Sequence, residues 1–179
     1  MDTSSDTRVR AAGPGDVEAL VELRALMFAA MDVPGVDDPQ WRIEALQWFG
    51  TRVSSDDVHV QVVDVDGAVV AMAMGCLRDS APSPTSPSGG DVLVSNVVVR
   101  PEHRRRGHAR RVLRGVLSWA ADRGIARVEL VATGQGRSLY EALGFRESRF
   151  PLMRLHPRAE QVIVGRVSPA EHRLPRQPT

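Results

Sequence analysis

The sequence predicts an α/β (α+β) fold, a central mixed β-sheet flanked by helices on both faces. Three observations carry that expectation. Strand and helix patterns succeed one another in the order β-α-α-β-β-β-α-β-α-β. Asp66-Gly67 separates two alternating apolar runs, a strong two-residue hairpin signal. A valine-rich stretch over residues 91–99 then leads through a basic turn into a helical pattern, as a strand feeding a crossover helix does.

Residues 1–6 are polar and expected to fray. Residues 8–12 suit a short strand. Gly13-Pro14-Gly15 makes a turn, and Asp16 suits an N-cap. The helix that follows puts Val17, Leu20, Val21, Leu23, Leu26 and Met27 mainly on one face. A break over 31–39 precedes a second helix over 39–49, which carries Trp41 and Trp48. Residues 58–65 and 68–77 are the hairpin strands. A Ser-, Pro- and Gly-rich loop over 80–90 reads as solvated. After Pro101, a helix over 107–123 is expected to bury Ala109, Val112, Leu113, Val116, Leu117 and Ala120, with Gly124 beyond its end. Residues 127–132 form a strand, 135–143 a short helix and 151–155 a last short strand. Val162, Ile163 and Val164 suit an edge or an oligomer contact, and the chain from Ser168 reads as disordered. The expected division is therefore a disordered 1–6, a domain over 7–156 and a largely disordered extension over 157–179.

The turn after the central strand is the chemical centre. Strand, basic turn, small residues and helix leave unpaired N–H groups at a helix N-terminus, where an anion, and a phosphate best of all, is held. Gly107 allows close approach and Ala109 keeps the next turn thin. Arg104, Arg105, Arg106, Gly107, His108 and Ala109 spell R-x-x-G-x-A. That string resembles the acyl-CoA pyrophosphate loop of the GNAT N-acetyltransferase superfamily. Val99-Arg100-Pro101-Glu102 before it and Leu139-Tyr140-Glu141-Ala142-Leu143-Gly144-Phe145 after it fall where that family has its flanking signatures.

The resemblance covers about residues 7–156 and implies a sheet that splays beside the central strand, with the pantetheine arm of acetyl-CoA pairing along Val97, Val98 and Val99. It gives the pyrophosphate to the turn from Arg104 through Arg105, Arg106, Gly107, His108 and Ala109 to Arg110. It also implies an acceptor site lined by the first helical region, making Trp41 or Trp48 candidate substrate contacts. A homodimer is a further family-level expectation.

Acyl transfer from a thioester to an amine needs a deprotonated amine, a donor for the developing oxyanion and a donor for the departing thiolate. A backbone N–H near Val97 suits the oxyanion. Tyr140, the only tyrosine, stands four residues before Gly144 and is the candidate for the sulfur. Asn96 is placed to orient an amine or a water, or serves the strand alone. The base is not legible: Asp91, His59 and His103 qualify by residue type only. Thr133 stands where the family often has an asparagine, a departure that weakens the CoA contact the resemblance implies there and leaves the hydroxyl as a candidate substitute.

The totals bound the rest. The 179 residues suit one domain, and 42% apolar and 25% charged content is ordinary for a globular chain. No apolar run approaches the ~18 residues of a membrane span, and the N-terminus lacks a signal-peptide core, so a soluble, cytoplasmic protein is expected. The single Cys76 excludes an internal disulfide and a multi-cysteine zinc site, and it reads as a small buried hydrophobe. No metal is expected. All 23 basic residues are arginine.

The expected activity is acetyl transfer from acetyl-CoA to an amine, by direct attack in a ternary complex. The absence of an acidic cluster in the acceptor regions favours a small-molecule amine. Two other readings stand beside it. One is a catalytically silent acyl-CoA sensor. The other is a nucleic-acid module using the basic patch over 104–114; the net charge of only +1, the apolar face of the patch's own helix and the scarcity of aromatics count against it.

Overall fold

Alternating valines build the centre of the sheet, and the Asp66-Gly67 turn sets their register. Both turn residues have positive φ, 52° and 86°, as a two-residue turn matched to strand twist requires. The computed structural model describes residues 6–155 and divides into two units, Met1–Phe145 and Arg146–Thr179.

In the first unit the elements run β1 (Thr7–Ala11), α1 (Val17–Ala30), α2 (Pro39–Arg52), β2 (Val58–Val65), β3 (Ala68–Arg78), β4 (Asp91–Val99), α3 (His108–Asp122), β5 (Val128–Leu130) and α4 (Arg137–Glu141). The strands lie side by side in the order β1-β2-β3-β4-β5. All neighbours are antiparallel except β4 and β5, which α3 joins as a parallel pair.

Alternation sends side chains to opposite faces, and each face has its own helical cover. Leu20, Leu23 and Phe49 from α1 and α2 pack on Val60, Val62, Met72 and Met74. Val112, Leu113, Val116 and Trp119 from α3 pack on Val63, Val70, Ala73, Val92 and Val94. Each fully buried side chain of this size contributes about 1.5–3 kcal/mol. α3 lies close to the sheet: a Cβ on Gly115 would stand 2.4 Å from Cδ of Gln61. The β-sheet flanked on both faces is thus the predicted architecture. Among the described residues no helix is long and apolar enough to cross a membrane.

The differences from expectation have local causes. Trp119 is buried on α3, where it stacks on His59 of β2 with ring centroids 5.4 Å apart, while Ala109 and Leu117 are only half-buried. Asp16 makes no side-chain cap on α1. Its carboxylate instead accepts the Gly13 N–H at 2.8 Å and both Nη groups of Arg10 at 2.7 and 2.9 Å, so it ties β1 to the turn. α2 runs on to Arg52 and fully buries only Phe49. No strand forms over 151–155: Pro151 has no N–H to offer a ladder, and Leu152, Met153 and Leu155 are exposed. The expectations for residues 1–5 and for 156–179, including Val162 to Val164, lie outside the described residues.

Candidate active site

The site begins with a register shift in β4. Met72 pairs with Val98, but Met74 pairs with Ser95, so Asn96 and Val97 together oppose Ala73. Asn96 takes the left-handed conformation, φ 51°, which asparagine tolerates better than most residues. Beyond the bulge β4 loses its parallel neighbour, since pairing with β5 is confined to Val92, Leu93 and Val94. The β4 edge from Ser95 to Val99 therefore faces a cleft of about 1030 Å³ instead of a strand.

Val97, Val98 and Val99 form one side of that cleft. Thr133 and Tyr140 also line it. The turn closes one end with Arg104, Arg105, Gly107, His108, Ala109 and Arg110, whereas Arg106 is exposed and outside the lining. Gly107 is the N-cap of α3 with φ 78° and ψ 5°, and its carbonyl accepts the Arg111 N–H at 3.2 Å to close the first helical turn. The N–H groups of His108, Ala109 and Arg110 precede that bond and have no intrahelical acceptor. They leave the positive end of the α3 dipole at the cleft beside three exposed guanidiniums, those of Arg104, Arg105 and Arg110, an arrangement that favours an anion.

His108 is 5% exposed, and neither of its ring nitrogens has a partner among the described residues. Burial first, then Arg111, His103 and Arg106, push its pKa down, so the ring is neutral at pH 7. Tyr140 sits half-buried on α4 with its ring edge-on to Phe145, centroids 6.1 Å apart. Burial pushes its pKa up, so its hydroxyl stays protonated well past neutrality. Thr133 Oγ accepts the Gly136 N–H at 3.3 Å, and its carbonyl accepts Gly136 and Arg137, so the residue also starts α4.

Trp41 and Trp48 are not in this cleft. They line a second cavity of about 1010 Å³ with Arg24, Phe28, Glu44 and Met74. Trp41 is braced by Phe28 at 5.4 Å and by its Nε1 donation to the Val36 carbonyl at 3.0 Å. Asn96 links the cleft to two residues of the second cavity. It lines the cleft, its Oδ1 accepts from Arg24 Nη1, and its Nδ2 donates to Met74 Sδ at 3.7 Å. Arg24 was not singled out by the sequence reading. A sequence signal existed, since Arg24 is spaced four from both Leu20 and Phe28 and so falls on the apolar face of α1.

The candidate bases separate cleanly. Asp91 lies at the far end of β4, held by Arg78 at 2.6 Å and Arg127 at 2.9 Å. Burial alone would raise its carboxyl, but the two guanidiniums outweigh burial and hold it below the usual range. His59 is on the α3 side of the sheet, stacked on Trp119 and bonded to Gln61 at 2.8 Å. Only His103 of the three borders the cleft. Cys76 is half-buried and burial pushes its thiol up, so it is no nucleophile at neutral pH.

A mixed sheet that opens along one bulged strand, above a glycine turn at a helix N-terminus, is the architecture of an acyl-CoA-dependent transferase. The chain belongs to the acetyltransferase (GNAT) family, whose model matches residues 20–145. Its fold is similar to that of a predicted acetyltransferase from Clostridium acetobutylicum solved with acetyl-CoA. The TM-score is 0.76 at 22% identity, over 84% of this chain and 96% of that one. A GCN5-related N-acetyltransferase from Ralstonia eutropha gives 0.75 at 22% identity, over 84% and 99%. The aminoglycoside N-acetyltransferase AAC(6')-Iy in complex with CoA gives 0.69 at 18% identity, over 87% and 98%. Among curated proteins, none matches the chain.

Proposed function

We propose that this acetyltransferase moves the acetyl group of acetyl-CoA to the amine of a small molecule, by direct attack within a ternary complex. One observation carries the reading: the β4 edge beyond the bulge is free and opens on a cleft that includes the α3 N-terminus, while Asn96 in that bulge contacts Arg24 and Met74 of a second cavity lined by aromatic side chains. Such a pair of cavities suits two substrates that approach one carbonyl from opposite sides.

The amides of the pantetheine arm extend the sheet along Val97, Val98 and Val99, replacing the ladder partner that β5 does not supply. The pyrophosphate rests on the N–H groups of the turn around Gly107, with Arg104, Arg105 and Arg110 adding charge. The Val97 N–H, re-aimed by the bulge, donates to the oxyanion that develops on the thioester carbonyl. The Tyr140 hydroxyl donates to the sulfur as it gains charge. With a pKa above that of a thiol, tyrosine does this as a strengthening hydrogen bond and not as a completed proton transfer. The acceptor enters from the side of Trp41 and Trp48, and Asn96 borders its path. Its proton leaves to water or to His103.

The test is free-thiol release from acetyl-CoA over a panel of amine classes. Acceleration by a small amine is the expected result. No acceleration by any class would overturn the reading, and tight acetyl-CoA binding without turnover would replace it with an acyl-CoA sensor.

A further inference from the structure

The second cavity holds a cation that no carboxylate contacts among the described residues. Arg24 rises from the apolar face of α1 into it, half-buried, with its guanidinium 4.5 Å from the centre of the Phe28 ring. Its one hydrogen bond goes to a neutral acceptor, the Asn96 carboxamide, and it has no carboxylate partner among the described residues. Burial without a counter-charge pushes its pKa down, although a guanidinium remains a cation at any physiological pH.

The two carboxylates of the same cavity keep their charge but neither contacts Arg24. Asp38 caps α2 by accepting the Gln40 N–H at 2.9 Å, and Glu44 accepts from Gln40 Nε2 at 2.9 Å. Cys76, the remaining ionisable group acting on Arg24, is a neutral thiol at pH 7. A half-buried cation with spare donors is costly until an anion meets it, and the planar fork suits a carboxylate or a phosphate. Because Arg24 touches Asn96, the residue beside Val97, an anion seated there lies close to the reacting carbonyl.

Resting on the acetyl-transfer reading above, we infer that the acceptor is an amine that also carries an oxyanion, a carboxylate or a phosphate, which Arg24 binds in the second cavity. The anion and the amine are separated by a short chain, so that one seats on the guanidinium while the other reaches the thioester. Asn96 holds the guanidinium in place across the bulge.

The test uses matched acceptor pairs on the unmodified protein: amino acids against their carboxamides, and amino-sugar phosphates against the parent amino sugars. Charge-assisted pairing predicts a kcat/KM at least about 30-fold higher for the anionic member, carried mainly by KM. Which pair shows the preference tells carboxylate from phosphate. Arg24→Met should erase the preference, bringing the ratio of kcat/KM between the anionic and neutral members to about one, and Arg24→Lys should restore part of it. Equal or better turnover of the neutral members would overturn the inference and leave acetyl transfer standing. If no amine is turned over, calorimetry of the same compounds on the CoA-saturated protein decides: binding of anions that Arg24→Met abolishes upholds the inference, and no such binding refutes it.

Discussion

Tyr140→Phe tests the reaction with little disturbance to the fold. The hydroxyl makes no hydrogen bond to another group among the described residues, so its loss leaves no orphaned partner. The ring is seated by Phe145 and by the first turn of α4, where a Cβ on Gly136 would come within 2.7 Å of Tyr140 Cε2. Phenylalanine keeps both contacts, and stability should change by about 0.5 kcal/mol or less, one or two degrees in Tm. If the hydroxyl strengthens its bond to sulfur only as charge develops, its loss costs about 1.4–4 kcal/mol at the transition state, or 10- to 1000-fold in rate. kcat and kcat/KM should fall together, while acetyl-CoA binding holds, because a ground-state thioester sulfur is a weak acceptor. The assay is steady-state thiol release with a saturating amine, repeated with acyl donors of better leaving ability, for which the defect should shrink. Burial raises the phenol pKa, so the donor survives to about pH 10 and the ratio of wild type to variant stays level below that. Normal kcat with a lowered Tm would remove Tyr140 from the mechanism.

Three further outcomes are expected. Gly107→Glu forces a side chain onto φ 78° at a strain of about 1–2 kcal/mol, but no atom lies within 4 Å of the new Cβ, so the fold survives. Acetyl-CoA affinity by calorimetry should drop at least about tenfold, more than in Gly107→Ala, since the carboxylate opposes the phosphates; unchanged affinity would sink the phosphate seat. Thr133→Ala should alter the KM for acetyl-CoA by less than about threefold, because its hydroxyl already serves Gly136; a tenfold rise would assign it a CoA contact. Asp91→Asn should cost about 1–3 kcal/mol at pH 7, since the buried carboxylate unites Arg78 and Arg127. The native carboxyl has its pKa lowered, so its contribution is complete above about pH 4, the unfolded value, and vanishes as pH falls through the lower folded value. The Tm gap between wild type and variant should close in that window, and a gap as wide at pH 3 as at pH 7 would refute the ion-pair account.

The sequence by itself determined what depends on a few neighbouring residues. Asp66-Gly67 dictated the hairpin because its two positive φ values are a local preference. The valine run, Pro101 and Gly107 dictated strand, stop and helix start, and with them the helix N-terminus to which the proposed phosphate contact is assigned, because each acts within a turn of chain. Tertiary structure decided whatever depends on a distant partner. The bulge at Asn96 and Val97 exists only relative to Met72 and Met74 on β3, and the open cleft only because β5 pairs for three residues. Asp91, His59 and His103 are equal by type, and only their neighbours separate an ion-paired carboxylate, a stacked ring and a cleft-side imidazole. Arg24 is an ordinary arginine in the string, set apart by a carboxamide 72 residues away and by the lack of a carboxylate contact among the described residues. Periodicity and turn chemistry are carried by adjacent residues, whereas register, charge balance and the shape of a cavity arise only when remote segments are brought together.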